Sequence, residues 1–411
     1  MKKLLTRPLL LILGFVFLDL LGYSLILPLL PYYAESFGAT IFLVGLLGTV
    51  NALGQLIAAP IIGRLSDRYG RRPMLIVAIA GTMIAFLMLA FSTSLWMIFL
   101  SRIVDGLLGG NTSLAKAYIT DISDNKNRAR SLGLIGASFG LGFIIGPVLG
   151  GVLGGIQLNL PAIVAAVLSF LNLVAVILWL PESLPAEQRG NTMPEKQNAF
   201  TLGRLLETLR RPCVGPLLNI RLFYSLAFTL FQSTFSLYAK ESLDLTVTQT
   251  GLVLTYVGLL SVLVQAVAIG KLTARFRERD LAYYATIVVL IMLVTWGFTH
   301  NVWLLLVVLA PLALGAGVLN TMLSSLITKS VQREDVGGTL GLDNSMQTFA
   351  QMVTPGLGGY ILDSLGAAGL GLLSGGFMVF AVLIARSKVM RHANLADDYC
   401  FCDEEQAVKA A

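Results

Sequence analysis

Apolar segments of bilayer-spanning length follow one another along almost the whole chain, and few folds tolerate that pattern. A helix needs about 20 predominantly apolar residues to cross a hydrocarbon core of about 30 Å. About twelve such segments can be marked, over 8–33, 41–63, 73–91, 95–117, 131–154, 158–180, 214–239, 248–270, 281–299, 302–326, 337–361 and 366–385. Lipid offers the backbone no partner, so each must satisfy its N–H and C=O groups internally as a helix. With 56% hydrophobic and 13% charged residues among 411, the chain is predicted to be an all-α integral membrane protein.

The charges then orient the segments. A net charge of +6 could suggest nucleic acid, but nearly all of the 29 lysines and arginines fall in alternate connections, including Arg64 to Arg72, Lys126 to Arg130, Arg189 to Arg211, Lys271 to Arg279 and the tail. The intervening connections contain only Lys240, while Arg102, Lys116 and Arg221 fall inside predicted helices. By the positive-inside rule both termini and the central polar segment face the cytoplasm, in a cell (inner or plasma) membrane, and no nucleic-acid partner is expected. The basic, apolar start imitates a leader peptide but has no small-residue cleavage site and continues past Pro28, so it reads as a retained first helix.

Self-similarity divides the twelve helices into two related sets. Gly63 to Arg72 reads GRLSDRYGRR, and Gly270 to Arg279 reads GKLTARFRER, 207 residues on. Asn111-Thr112 recurs as Asn320-Thr321, Leu132-Gly133-Leu134 as Leu340-Gly341-Leu342, and Pro147-x-Leu149-Gly150-Gly151 as Pro355-x-Leu357-Gly358-Gly359, at offsets of 208 or 209. Six helices per copy give both copies one orientation, hence parallel repeats with a solute site expected between them near the midplane. The expected divisions are a first half over 1–180, a cytoplasmic linker over 181–213 with a short amphipathic helix from Thr201 to Arg210, a second half over 214–385, and a cytoplasmic tail over 386–411 that is expected to be disordered from Arg391.

Several motifs coincide with this layout. Gly63-x-Leu65-x-Asp67-Arg68-x-Gly70-Arg71-Arg72 resembles the loop between the second and third helices of the major facilitator superfamily, and nearly the whole chain follows that family's plan. Asp19-x-x-Gly22 with Pro28 and Pro31 is similar to the first-helix motif of its drug:proton antiporters. Arg102-x-x-Asp105-Gly106 resembles the fourth-helix motif, with aspartate where glutamine is more usual. Gly142, Gly146-Pro147 and Gly150 resemble the fifth-helix antiporter pattern. The likeness is greatest to tetracycline-resistance-type and multidrug exporters. It implies a twelve-helix fold, proton-coupled efflux, and a gating role for Gly63, Asp67, Arg68, Gly70, Arg71 and Arg72, with Asp67 near the start of the eleventh helix, and for Gly142, Gly146, Pro147 and Gly150.

The residues also carry an argument of their own. A carboxylate near the bilayer centre costs about 2.5 to 3.5 kcal/mol or more unless paired or protonated. Counting about 1.5 Å per residue puts Asp19 about 17 Å from the cytoplasmic face, and Arg102 and Asp105 about 10 and 15 Å from the other. Asp19 is therefore expected to carry the proton, Arg102 to be its switchable partner, and Asp105 to hold Arg102 when Asp19 is protonated; a static ion-pair network is the competing reading. Glycines 142, 146 and 150 share one helix face and permit close approach of a neighbour. Phe228, Gln232 and Phe235 are expected to form an aromatic face with one polar group, and Tyr23, Asn51, Gln55, Asn320 and Gln351 are further candidates for the substrate cavity.

Other chemistries are excluded or weak. Gly136-Ala137-Ser138-Phe139-Gly140 matches a nucleophile elbow, but the two histidines, His300 and His392, are placed where neither can serve Ser138 as base, so no enzyme is expected. Asn111-Thr112-Ser113 matches a glycosylation sequon inside a membrane helix. Cys213, Cys400 and Cys402 form no disulfide framework, and Cys400-Phe401-Cys402 reads as two free thiols rather than a metal site. No Walker A pattern occurs. Secondary transport of a small molecule against protons follows, with no cofactor and no metal, by a monomer in the lipid bilayer. A facilitator or symporter of another solute, or a non-transporting receptor or scaffold, are the alternatives.

Overall fold

The computed structural model describes residues 7–109, 111–123, 128–184, 214–331 and 336–390. The expected linker helix, the tail beyond Met390 and all three cysteines lie outside these residues, and the first residues of the tail continue the last helix as a π turn, Ala385–Met390. The helices are α1 Arg7–Ile26, α2 Leu30–Glu35, α3 Ile41–Tyr69, α4 Arg71–Ala90, α5 Leu95–Leu108, α6 Asn111–Ile122, α7 Arg128–Ile156, α8 Leu160–Trp179, α9 Val214–Leu243, α10 Val247–Leu263, α11 Ile269–Thr273, α12 Glu278–Gly297, α13 Val302–Lys329 and α14 Val336–Ile384. No strand occurs among the described residues.

Nine described helices are individually long and apolar enough to cross a membrane. The twelve passes are completed in three places. α14 makes two passes, since Gly366 at φ 68° breaks the helical path within it. α10 and α11 form one pass through the π turn Val264–Ala268, and α5 with α6 forms another, interrupted after Leu108. The sequence pattern runs straight through 95–117 because the apolar residues continue, whereas the backbone leaves the helical path at Gly109, which has no side chain to support it. Non-helical backbone at membrane depth is tolerated where protein or a polar cavity surrounds it.

The charged stretch also departs from the loop expected. α3 continues as helix to Tyr69, α4 begins at Arg71, and the whole reversal is made at Gly70, whose φ of 106° is a conformation that disfavours a side chain. Asp67 and Arg71 pair at 2.5 Å across this turn and tie the end of α3 to the start of α4.

Contacts divide the chain into two compact units, residues 1–194 with 236–259, and residues 195–235 with 260–411. The end of α9 and most of α10 group with the first unit. Direct bonds explain this. Thr248 and Thr255 donate to the Gly151 and Ile144 carbonyls of α7 at 2.8 and 3.1 Å. Gly251 leaves no room for a side chain beside the Pro147 carbonyl. Lys240 pairs with Glu35, and Thr250 shares a hydrogen bond with Tyr32 at 2.9 Å.

Within the first unit α1 is the central element, packed against α7, α8 and α6, while α4 lies against α5 and α8. Leu9, Ile12, Phe15, Leu75, Ile79, Tyr118 and Val176 form a buried cluster between them. In lipid, apolar packing gains little from water exclusion, so close van der Waals fit and interhelical hydrogen bonds hold the helices. The glycine row of α7 supplies the fit. Gly142 faces Leu20, Gly146 faces Ser24 and Gly150 faces the Leu25 carbonyl, so this face meets α1, and Ser24 Oγ donates to the Gly142 carbonyl at 2.8 Å.

Candidate functional site

Polar groups gather in the first unit where α1, α3, α4, α5 and α6 meet. Gly54 and Gly106 bring α3 and α5 into backbone contact, and a side chain on Gly106 would collide with the Asn51 carbonyl. At that separation Asn51 Nδ2 donates both to Asp105 Oδ2, at 2.9 Å, and to the Arg102 carbonyl, at 3.1 Å. Gln55, one turn along, donates to Asn51 Oδ1 at 2.9 Å. Arg102 and Asp105 are buried and sit 3.7 Å apart on one face of α5. The guanidinium also lies 6.0 Å from the centre of the Phe86 ring, and its Nη2 is buried with no partner among the described residues.

Asp19 lies apart from that pair. Among the described residues it has no ion pair; its carboxylate accepts one hydrogen bond, from Asn111 Nδ2 at 2.6 Å. Asn111 is the first residue of α6, so the break after Leu108 places it opposite Asp19. It also donates to Thr82 on α4 at 3.1 Å. Arg102 is thus held by Asp105 in this structure, and a neutral amide occupies the place expected for the guanidinium beside Asp19. Asn111 figured in the sequence only as a repeat match and a sequon. Its opposition to Asp19 depends on the helix break, which periodicity does not show.

The second unit has its own charged centre. Arg221 of α9 is 1% exposed and donates Nε to Asp343 at 2.6 Å, Nη1 to Asn320 Oδ1 at 2.5 Å and Nη2 to Ser324 Oγ at 2.6 Å. Gln347 donates to the other oxygen of Asp343 at 3.1 Å. Asn320 is therefore tied to Arg221. The pair spans 122 residues, and Asp343 carried no sequence signal beyond being an acid in an apolar stretch.

Phe228 and Phe235, expected to form an aromatic face on α9, belong to a longer series of rings. The rings follow Tyr224, Phe228, Phe231 and Phe235, with centroids 5.5 to 5.9 Å apart, and Trp296 stacks edge-on against Phe231 at 4.9 Å. Phe235 is buried in this ladder, and Gln232 is exposed. Tyr23, 43% exposed, meets Phe143 edge-on at 6.5 Å. Gln351 is exposed.

At the Gly70 turn, Arg71 binds Asp67 and Ser66 at 2.5 Å and Asp121 of α6 at 3.1 Å. The helix start capped by a carboxylate here is that of α4, and the cap is Glu182, which accepts from the Arg71 and Arg72 backbone N–H groups at 2.9 and 3.2 Å. Arg72 reaches the Ile177 carbonyl at 2.6 Å, and Arg68 lies 5.5 Å from the Tyr69 ring. Gly63 has open space around it. Among the described residues no cluster of His, Cys, Asp and Glu is suited to a metal ion.

This arrangement has relatives. The Major Facilitator Superfamily profile matches residues 12–238 and 217–394. The class H tetracycline resistance protein of Pasteurella multocida is 31% identical over 92% of this chain and 94% of its own length, and the class C protein of Escherichia coli is 32% identical over 82% and 86%. The fold is shared with the crystal structure of the human organic anion transporter MFSD10, at a TM-score of 0.69 and 22% identity over 92% of this chain and 99% of that one. With two six-helix sets, a buried polar centre in each and these matches over most of its length, the chain belongs to the major facilitator superfamily and is a multi-pass membrane transporter.

Proposed function

We propose that this transporter exports a small amphipathic compound in exchange for protons by alternating access, with Asp19 as the proton-carrying acid and both termini in the cytoplasm. The contrast between three carboxylates carries the reading. Asp105 and Asp343 each pair with an arginine, whereas Asp19, in the middle of α1, has among the described residues only a neutral amide donor. A carboxylate so placed is the one for which small changes in hydration decide between acid and anion. The tetracycline resistance proteins among its relatives support an amphipathic drug-like substrate. Arg102 and Asp105 act as a fixed dipole beside the path, and the α7–α10 contact is one that has to open during the cycle. Both halves lie in one chain, so a monomer suffices.

Purified protein in liposomes with an imposed pH gradient tests this, with tetracycline and cationic dyes as probes. The expected result is movement of a probe opposite to the proton flux, measured by a trapped pH dye. Protons moving in the same direction as the probe, or no coupling at all, would overturn it.

A further inference from the structure

Asn111 uses only one end of its amide. Nδ2 donates both its hydrogens, to Asp19 Oδ1 at 2.6 Å and Thr82 Oγ1 at 3.1 Å, while Oδ1 is buried with no partner among the described residues. An amide has two donors at one end and two acceptor lone pairs at the other. The orientation seen suits an ionised Asp19, which can only accept. Once Asp19 is protonated its O–H needs an acceptor, and a half-turn of the amide supplies Oδ1 in the place of Nδ2. Thr82 is compatible with either orientation, because a hydroxyl both donates and accepts.

The second half shows the other orientation. Asn320, the repeat counterpart of Asn111, directs Oδ1 at the Arg221 Nη1 donor, 2.5 Å away. The same position thus offers nitrogen to an anion in one half and oxygen to a donor in the other.

We infer that Asn111 is a positioning residue that registers the proton on Asp19, turning its nitrogen to the anion and its oxygen to the acid, and re-pairing α6 and α4 with α1 at each change. This rests on the reading of Asp19 as proton carrier and deepens it. Few charges compete for the role. α7 over 131–156 and α8, both packed on α1, contain no ionisable residue. Of those on α6, Lys116 is exposed, Tyr118 donates to the Pro181 carbonyl at 2.7 Å and Asp121 pairs with Arg71. α4 has none between Pro73 and Ala90. α5 contributes Arg102 and Asp105, bound to one another, and α1 itself contributes Tyr23 one turn away.

Infrared pH titration of the full chain in lipid bilayers tests the inference without a substrate. The acid C=O band missing from Asp19→Asn identifies Asp19. The amide C=O band missing from Asn111→Leu identifies Asn111, and it should shift with the same midpoint as the Asp19 acid band, as Oδ1 goes from having no partner to accepting the acid O–H. Asn111→Ser, smaller and readily housed in a membrane helix, removes the same amide band and identifies it if the leucine variant does not fold. An Asn111 amide band that stays fixed while the Asp19 acid band titrates overturns the inference, even where Asp19→Asn abolishes coupling. Transport still driven by protons in Asp19→Asn overturns the proton-carrier reading instead, and absence of an Asp19 band between about pH 4 and 10 overturns both.

Discussion

Lys329 meets Glu278 at 2.8 Å, at repeat positions equivalent to those where the first half sets Asp121 against Arg71 at 3.1 Å. The counterpart helices are tied in both halves, with the signs exchanged. Ser325 adds a second donor to Glu278 at 2.9 Å.

That inversion makes the second-half tie testable by charge reversal. Lys329→Glu and Glu278→Lys should each lower the thermal stability of the detergent-solubilised protein, by under about 1 kcal/mol because the pair is partly exposed. The double reversal should recover most of the loss. A double variant as unstable as both single losses combined would show that the pair contributes nothing as a pair.

Glu182 joins the end of the first half to the start of α4. Its carboxylate accepts from the Arg71 and Arg72 N–H groups and also from those of Ser183 and Leu184, at 3.0 and 3.1 Å. Glu182→Ala removes the cap and should cost about 1 to 2 kcal/mol in unfolding measurements. Glu182→Gln, which can still accept but lacks the charge, should cost less. A glutamine variant as stable as the unaltered protein would mean that the negative charge at this helix start is immaterial.

The buried pair of the second half predicts a larger effect. Arg221→Leu leaves Asp343 without its counter-charge, and Asp343→Leu does the same to Arg221, so each should cost about 3 to 5 kcal/mol. Replacing both with leucine removes the uncompensated charge and should be milder than either. Thermal unfolding of the three variants checks the order, and a double variant worse than both single ones would contradict it.

Much of the fold was legible because lipid imposes simple rules. Span length, alternation of positive charge and the repeat at 207 to 209 residues gave twelve helices in two sets, and the four-residue spacing of Gly142, Gly146 and Gly150 identified the face that α1 meets. What escaped depended on partners distant in sequence or on local backbone. Arg221 stood out as a charge inside a helix, but nothing in its own segment indicates Asp343. Glu182, hidden at the edge of a polar linker, caps α4. The break between α5 and α6 decides which residue faces Asp19, and apolar periodicity is blind to it.

The central claim is that Asp19 carries the transported proton. The most direct measurement is probe transport by Asp19→Asn in liposomes, with and without a pH gradient. The account predicts that exchange of the probe down its own gradient persists while proton-driven accumulation disappears. Accumulation that survives the substitution would contradict it.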